Sequence, residues 1–298
     1  MVTGLLMMLT LLATGVGLIV DHRVITGSPA WVKPAKFAIS FSVYCFTFVW
    51  LLSFVRRWKR VTRIIAGLTS LAAVAEMGLI ALQAARGVAS HFNRATSFDS
   101  AVYSTMATFA LTLWVAAFLA AILFLFERRA DRAFIWSVRL SLVIVLFGML
   151  AAIPMTLPTA AQQAAIKAGH AILVGAHSVG VPDGGSGLPF LGWSTIGGDL
   201  RIAHFIGLHA LQVLPLIGWF LSARRFPRLR TGHRITLVWT FSLGYLGLTA
   251  SLFWQAMRGQ SLIAPDALTL LTWGGVTGLT LAATIGIVLH ARATVKTI

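Results

Sequence analysis

Apolar residues run along this chain in eight long blocks: Val2–Val20, Lys36–Val55, Ile64–Ala84, Ala101–Phe126, Phe134–Met155, Ile202–Leu221, Ile235–Gln255 and Leu268–His290. Each is close to the about 20 residues that an α-helix needs to cross the hydrocarbon of a bilayer. None shows the strict alternation of a half-buried strand. The pattern predicts an all-α integral membrane protein with eight transmembrane helices. The first block starts almost at Met1 with no basic stretch ahead of it, which reads as a retained helix rather than a cleaved leader.

The polar stretches give the blocks a direction. Arg56, Arg57, Lys59, Arg60 and Arg63 follow the second block; Arg128, Arg129, Arg132 and Arg139 follow the fourth; Arg224, Arg225, Arg228, Arg230 and Arg234 follow the sixth; Arg292 and Lys296 end the chain. These are 16 of the 24 basic residues, and all fall on one side of an eight-span arrangement. Basic loops stay in the cytoplasm, so both termini are expected there, in a bacterial inner membrane. Asp21, Glu76, Asp99, Asp183, Asp199 and Asp266 fall on the other side or in the outer part of a span.

Composition agrees: 58% of residues are hydrophobic and 11% charged, against about 25% charged in a soluble domain. A net charge of +16 would point to nucleic acid in a soluble protein. Here the loops account for it, and no nucleic-acid partner is expected. The single cysteine, Cys45, sits inside an apolar block, so no intrachain disulfide can form. No Walker A, dinucleotide or zinc-protease motif is present.

The chain also resembles itself. Ser70-Leu71 leads to Gln83-Ala84-Ala85-Arg86-Gly87, and Ser242-Leu243 leads to Gln255-Ala256-Met257-Arg258-Gly259, six identities over 18 ungapped positions. Trp31 to Phe37 and Asp199 to Phe205 both end in an Ala-[Lys/His]-Phe step, aligning Lys36 with His204. Two parallel four-helix repeats are expected: residues 1–130, and residues 131–298 with an extracytoplasmic loop at 157–200.

Ionisable groups at membrane depth are costly and turn toward one another or toward a cavity. They concentrate at one end: Lys33, Lys36, Glu76, Arg86, His91, Asp199, Arg201, His204, His209 and Arg258. Arg86 and Arg258, with Lys36 and Arg201, are candidate cations for an anionic group. Glu76 and His209 are candidate proton-transfer groups. His91, His204 and His209 are candidate ligands of a haem or a divalent metal, although His204 and His209, five residues apart, cannot clasp one ion as an i, i+4 pair would. In the outer loop, Thr159–His177 reads as an interfacial helix carrying His170 and His177 on one face. The Gly- and Pro-rich stretch after it reads as a mobile hinge, together forming a lid.

The layout resembles that of haem A synthase, with eight spans, cytoplasmic termini and two parallel four-helix units. Arg23-Val-Ile-Thr26-Gly27-Ser28 is similar to an Arg-x-Thr-Gly-Ser segment of that family, one residue longer. The resemblance implies histidine ligands on the second and fourth helix of each unit. This chain has Lys36 where the pattern asks for a histidine, His204 in the matching place of the other half, and none in the outer halves of spans four and eight. The likeness therefore covers the layout and one short motif, and no activity is carried over from it.

The residues point to a membrane-embedded oxidoreductase or cofactor-binding protein that takes a lipophilic or small ligand at its outer face. A small-solute transporter and an accessory subunit of a membrane complex or oligomer are the alternatives. The inner halves of the spans hold almost no ionisable groups, which disfavours proton-coupled transport.

Overall fold

A computed structural model describes residues 1–128, 130–169, 172–222, 225–226 and 229–296, with residues 295 and 296 described without their side chains. Arg129, His170, Arg224 and Arg228, used above for charge and for the interfacial helix, lie outside the described residues. The long helices are α1 (Val2–Val20), α2 (Val32–Leu52), α3 (Lys59–Arg86), α4 (Ser97–Phe126), α5 (Arg132–Leu150), α7 (Leu200–Phe220), α8 (Thr231–Met257) and α9 (Ala267–Lys296). A short helix, α6 (Ala160–Lys167), and two hairpins, β1 (Val24–Ile25) with β2 (Ser28–Pro29) and β3 (Ser178–Val179) with β4 (Gly198–Asp199), lie in the loops. Among the described residues, eight helices are long and apolar enough to cross a membrane. Apolar side chains such as Leu12, Ile64, Leu111, Phe147 and Leu271 are exposed around the bundle. Surface of that kind is stable in lipid and not in water, as fits a multi-pass membrane protein.

Several helices outrun the apolar blocks that announced them. α2 begins at Val32, a turn before Lys36, because Pro34 falls in its first turn, where no backbone N–H is needed. α3 runs from Lys59 to Arg86 because charged residues are good helix formers. The expected helix over Thr159–His177 is not formed. α6 opens on a Thr159–Gln162 capping box but stops at Lys167, and Gly169 follows with φ +75°. A left-handed glycine closes a helix in this way, so His177 is not on it.

The rest of the 157–200 segment is a folded cap rather than a free hinge. Arg94 N donates to Ile172 O (2.8 Å), Val174 N to Phe92 O (2.8 Å) and Ala176 N to Met155 O (2.9 Å). Thr26 and Gly27 both have positive φ at the tip of the β1–β2 hairpin. A Cβ on Gly27 would stand 2.4 Å from Gly184 O, so only glycine lets the hairpin dock on the cap.

Packing is tightest between α5 and α7. A Cβ on Gly207 would lie 2.6 Å from the Cα of Gly148, so the backbones touch where neither residue has a side chain. This contact fixes the geometry of the site above it.

Candidate functional site

The site lies where the first turns of α2 and α7 meet the α3–α4 loop under the cap. Lys33 Nζ is 3.0 Å from His91 Nδ1, and Ser90 Oγ is 3.1 Å from the same nitrogen. An ammonium only donates, so Nδ1 accepts and the proton of a neutral His91 sits on Nε2. Burial first, then the Lys33 charge, hold the His91 pKa well below its ordinary value. His177 and His204 lie within electrostatic reach of His91, and the Phe92 ring bridges it to His177, with centroids 6.1 and 4.9 Å apart.

His177 and His204 take the other tautomer. His204 Nδ1 donates to Gly148 O at 2.8 Å, a carbonyl brought within reach by the Gly148–Gly207 approach. His177 Nδ1 donates to Asp183 Oδ2 at 2.7 Å. Asp183 also accepts from the backbone N–H groups of His177 and Ser178 (2.9 and 2.8 Å). Burial opposes its charge, but those hydrogen bonds prevail and hold its carboxyl below the usual range. Burial pushes His177 below its ordinary value, against the pull of Asp183. Both rings thus have Nδ1 anchored and Nε2 left with its lone pair, which is how ligating and proton-accepting histidines are held.

Two more cations reach the cap. Lys36 Nζ donates to Leu191 O (2.9 Å), and Arg201 Nη2 donates to Gly192 O (2.6 Å) while its Nε binds Asp199 (2.9 Å). Asp199 also caps α7 through Arg201 N. Further in, Glu76 is 5% exposed and within electrostatic reach of Lys33. His209 Nδ1 is 3.1 Å from Gln212 Oε1, and Gln212 Nε2 reaches Thr47 Oγ1 at 3.2 Å, joining α7 to α2 below the site.

The structure thus brings together Lys36, His91, Arg201 and His204, with Glu76 and His209 deeper. It does not bring Arg86 or Arg258 to them. Arg86 binds Asp99 Oδ1 (2.6 Å) and Gln83 and lies over the Phe98 ring (4.6 Å). Arg258 binds Asp266 and lies over the Trp254 ring (4.5 Å). Among the described residues no three His, Cys, Asp or Glu side chains are gathered to hold a metal ion, so His91, His204 and His209 do not form a metal trio. The sequence reading underused Lys33 and missed the His177–Asp183 pair. Spacing could have suggested the latter only if the cap had been read as folded.

No protein-family model, curated protein or solved structure matches this chain. What the fold and the site define is a class: an all-helical, multi-pass membrane-type protein with a cluster of polar and ionisable side chains at one end of its bundle.

Proposed function

We propose that this is a bacterial inner-membrane protein with cytoplasmic termini, and that its pocket, on the outer face, binds an amphiphilic anionic cofactor or substrate, most fittingly a porphyrin bearing carboxylates. The observation that carries the reading is the convergence of two Nδ1-anchored imidazoles, His177 and His204, with Lys33, Lys36 and Arg201. A bare divalent ion needs three or more protein donors. A haem brings four nitrogens of its own and asks for one or two imidazoles, with cations for its carboxylates. His204 is the ligand proposed, Lys36 and Arg201 the carboxylate partners, and Glu76 beneath Lys33 the proton acceptor. Haem, when bound, supplies one-electron chemistry, hence the oxidoreductase reading.

The proposed duplication supports an evolved pocket between equivalent helices. In order, α1 to α4 have 19, 21, 28 and 30 residues, and α5, α7, α8 and α9 have 19, 21, 27 and 30. Reporter fusions at residues 58 and 226 should read cytoplasm, and fusions at 92 and 262 outside; one reversed loop would refute the topology.

The decisive experiment is an absorption spectrum of the purified protein, alone and titrated with haem. A Soret band is expected. His204→Ala should weaken binding by about 100-fold, the scale of losing a metal ligand or its support. Lys36→Ala should weaken it by about tenfold, one ion pair's worth. No band with or without added haem would overturn the porphyrin reading.

A further inference from the structure

At the opposite, Arg-rich end of the bundle, a cleft of about 430 Å³ opens between the start of α8 and the end of α9. Its lining is Arg230, Gly232, His233, Thr236, Ile287 and His290. The outer pocket makes no use of it. Three features give it a chemical preference.

First, among the described residues its lining holds one cation, Arg230, and two imidazoles, and no carboxylate. Arg234, just along α8, is spent on Asp131 at 2.7 Å, but the Arg230 guanidinium has no partner among the described residues. The His233 and His290 rings meet edge to face with centroids 5.4 Å apart, and His233 Nδ1 is buried with no hydrogen-bond partner among the described residues. The fixed guanidinium charge disfavours a metal cation and attracts an anion, to which the imidazole N–H groups can donate.

Second, α8 starts here without a side-chain cap. The N–H groups of Thr231, Gly232 and His233 form the first turn and have no intrahelical acceptor. The helix dipole adds positive potential at the same point. A Cβ placed on Gly232 meets nothing within 4 Å, so the backbone is open to a ligand.

Third, the cleft opens among apolar helix faces. Ile287 forms part of its wall, and Trp239 and Leu243, three and seven residues on from Thr236 on the same face of α8, are 36% and 58% exposed. Both helices are long and apolar enough to cross a membrane. A phosphate seated on Arg230 and the α8 N-terminus would carry its acyl chains along these faces.

We propose that this cleft is a binding site for the phosphate of an anionic phospholipid. The shared chemistry is a phosphate oxyanion; the apolar walls select the lipid-borne form over the free ion. A zwitterionic lipid brings a choline cation against Arg230 and is disfavoured.

The test uses the full chain, purified and delipidated in detergent, with binding read by native mass spectrometry. Phosphatidylglycerol is expected to bind about tenfold more tightly than phosphatidylcholine, since each basic residue near a membrane surface contributes at about that scale. Arg230→Gln combined with His290→Gln should bring the two lipids to within about twofold. Gly232→Val should do the same by filling the open space, with the melting temperature unchanged. Equal binding of the two lipids by the wild type, or a preference untouched by both variants, would overturn the proposal. In a parallel arm, inorganic phosphate should stabilise the protein far less than phosphatidylglycerol. Equal stabilisation by phosphate would assign the cleft to the free ion and overturn the lipid as its occupant.

Discussion

α2 and α7 are both 21 residues long and start with the same Ala-[Lys/His]-Phe step, yet their first turns are used differently. Lys36 on α2 donates upward to Leu191 O in the cap; His204 on α7 donates sideways to Gly148 O on α5. The cause lies in the neighbouring helix. α7 meets α5 glycine on glycine, at Gly148 and Gly207, so a short imidazole reaches a backbone carbonyl. α2 meets α1 through rings: a Cβ on Gly17 would stand 2.5 Å from Trp31, and one on Gly4 would stand 2.9 Å from Phe46. Rings hold the backbones apart, and a long, flexible lysine suits that opening. Similar sequence steps therefore give a fixed imidazole in one place and an adaptable cation in the other.

A contrast holds inside the two Gln-Ala-x-Arg-Gly ends as well. Both stop in left-handed glycines, Gly87 and Gly259, with Val88 N donating to Gln83 O and Gln260 N to Gln255 O. Both arginines then bind an aspartate at the start of the next helix. Asp99 is nearly buried, its side chain 3% exposed, whereas that of Asp266 is 40% exposed.

The largest effect should come from the glycine contact. Gly207→Ala forces a Cβ into rigid backbone and should cost about 1–3 kcal/mol, the usual range for overpacking. Gly17→Ala should cost less, because a ring can shift where a backbone cannot. Reversible denaturant unfolding in detergent measures both, and equal losses would break the comparison between the two helix pairs.

The next effect separates the two clasps. Asp99→Ala strips partners from Gln83, Arg86 and Thr96 at once and should lower the melting temperature by several degrees. Asp266→Ala leaves an arginine already in contact with solvent and should lower it little. Matching drops would show that burial does not distinguish the clasps.

The smallest effect is a pH dependence near neutrality. The folded pKa of His91 lies well below its ordinary value, so below about pH 6.5 the unfolded chain binds the extra proton first. The associated stability is complete above that pH and declines as pH falls toward the folded value, by about 1 kcal/mol per histidine at pH 6. Melting temperature should fall from pH 7.5 to pH 6, and His91→Gln should flatten the slope. A slope unaffected by that change would place the titration on another group, with His177 next to be tested.

The eight helices were legible in the sequence because their physical cause is local: a run of about 20 apolar residues needs no knowledge of its neighbours to favour a membrane-crossing helix. The Gln-Ala-x-Arg-Gly ends were legible for the same reason, since a glycine closing a helix is a property of its own turn. Their partners were not legible, because the aspartates that engage Arg86 and Arg258 lie across a loop. The cap was misread from its glycines and prolines. Those residues signal turns equally well in a free hinge and in a segment pinned by Phe92, Met155 and Asp183. The site needed the tertiary structure most of all. Sequence could nominate His91, His204, Lys36 and Arg201 by the cost of burying them, but which nitrogen each histidine offers depends on Gly148 O, Asp183 and Lys33. Those partners come from other helices and from the cap, and only packing places them within 3 Å or so of the rings they orient.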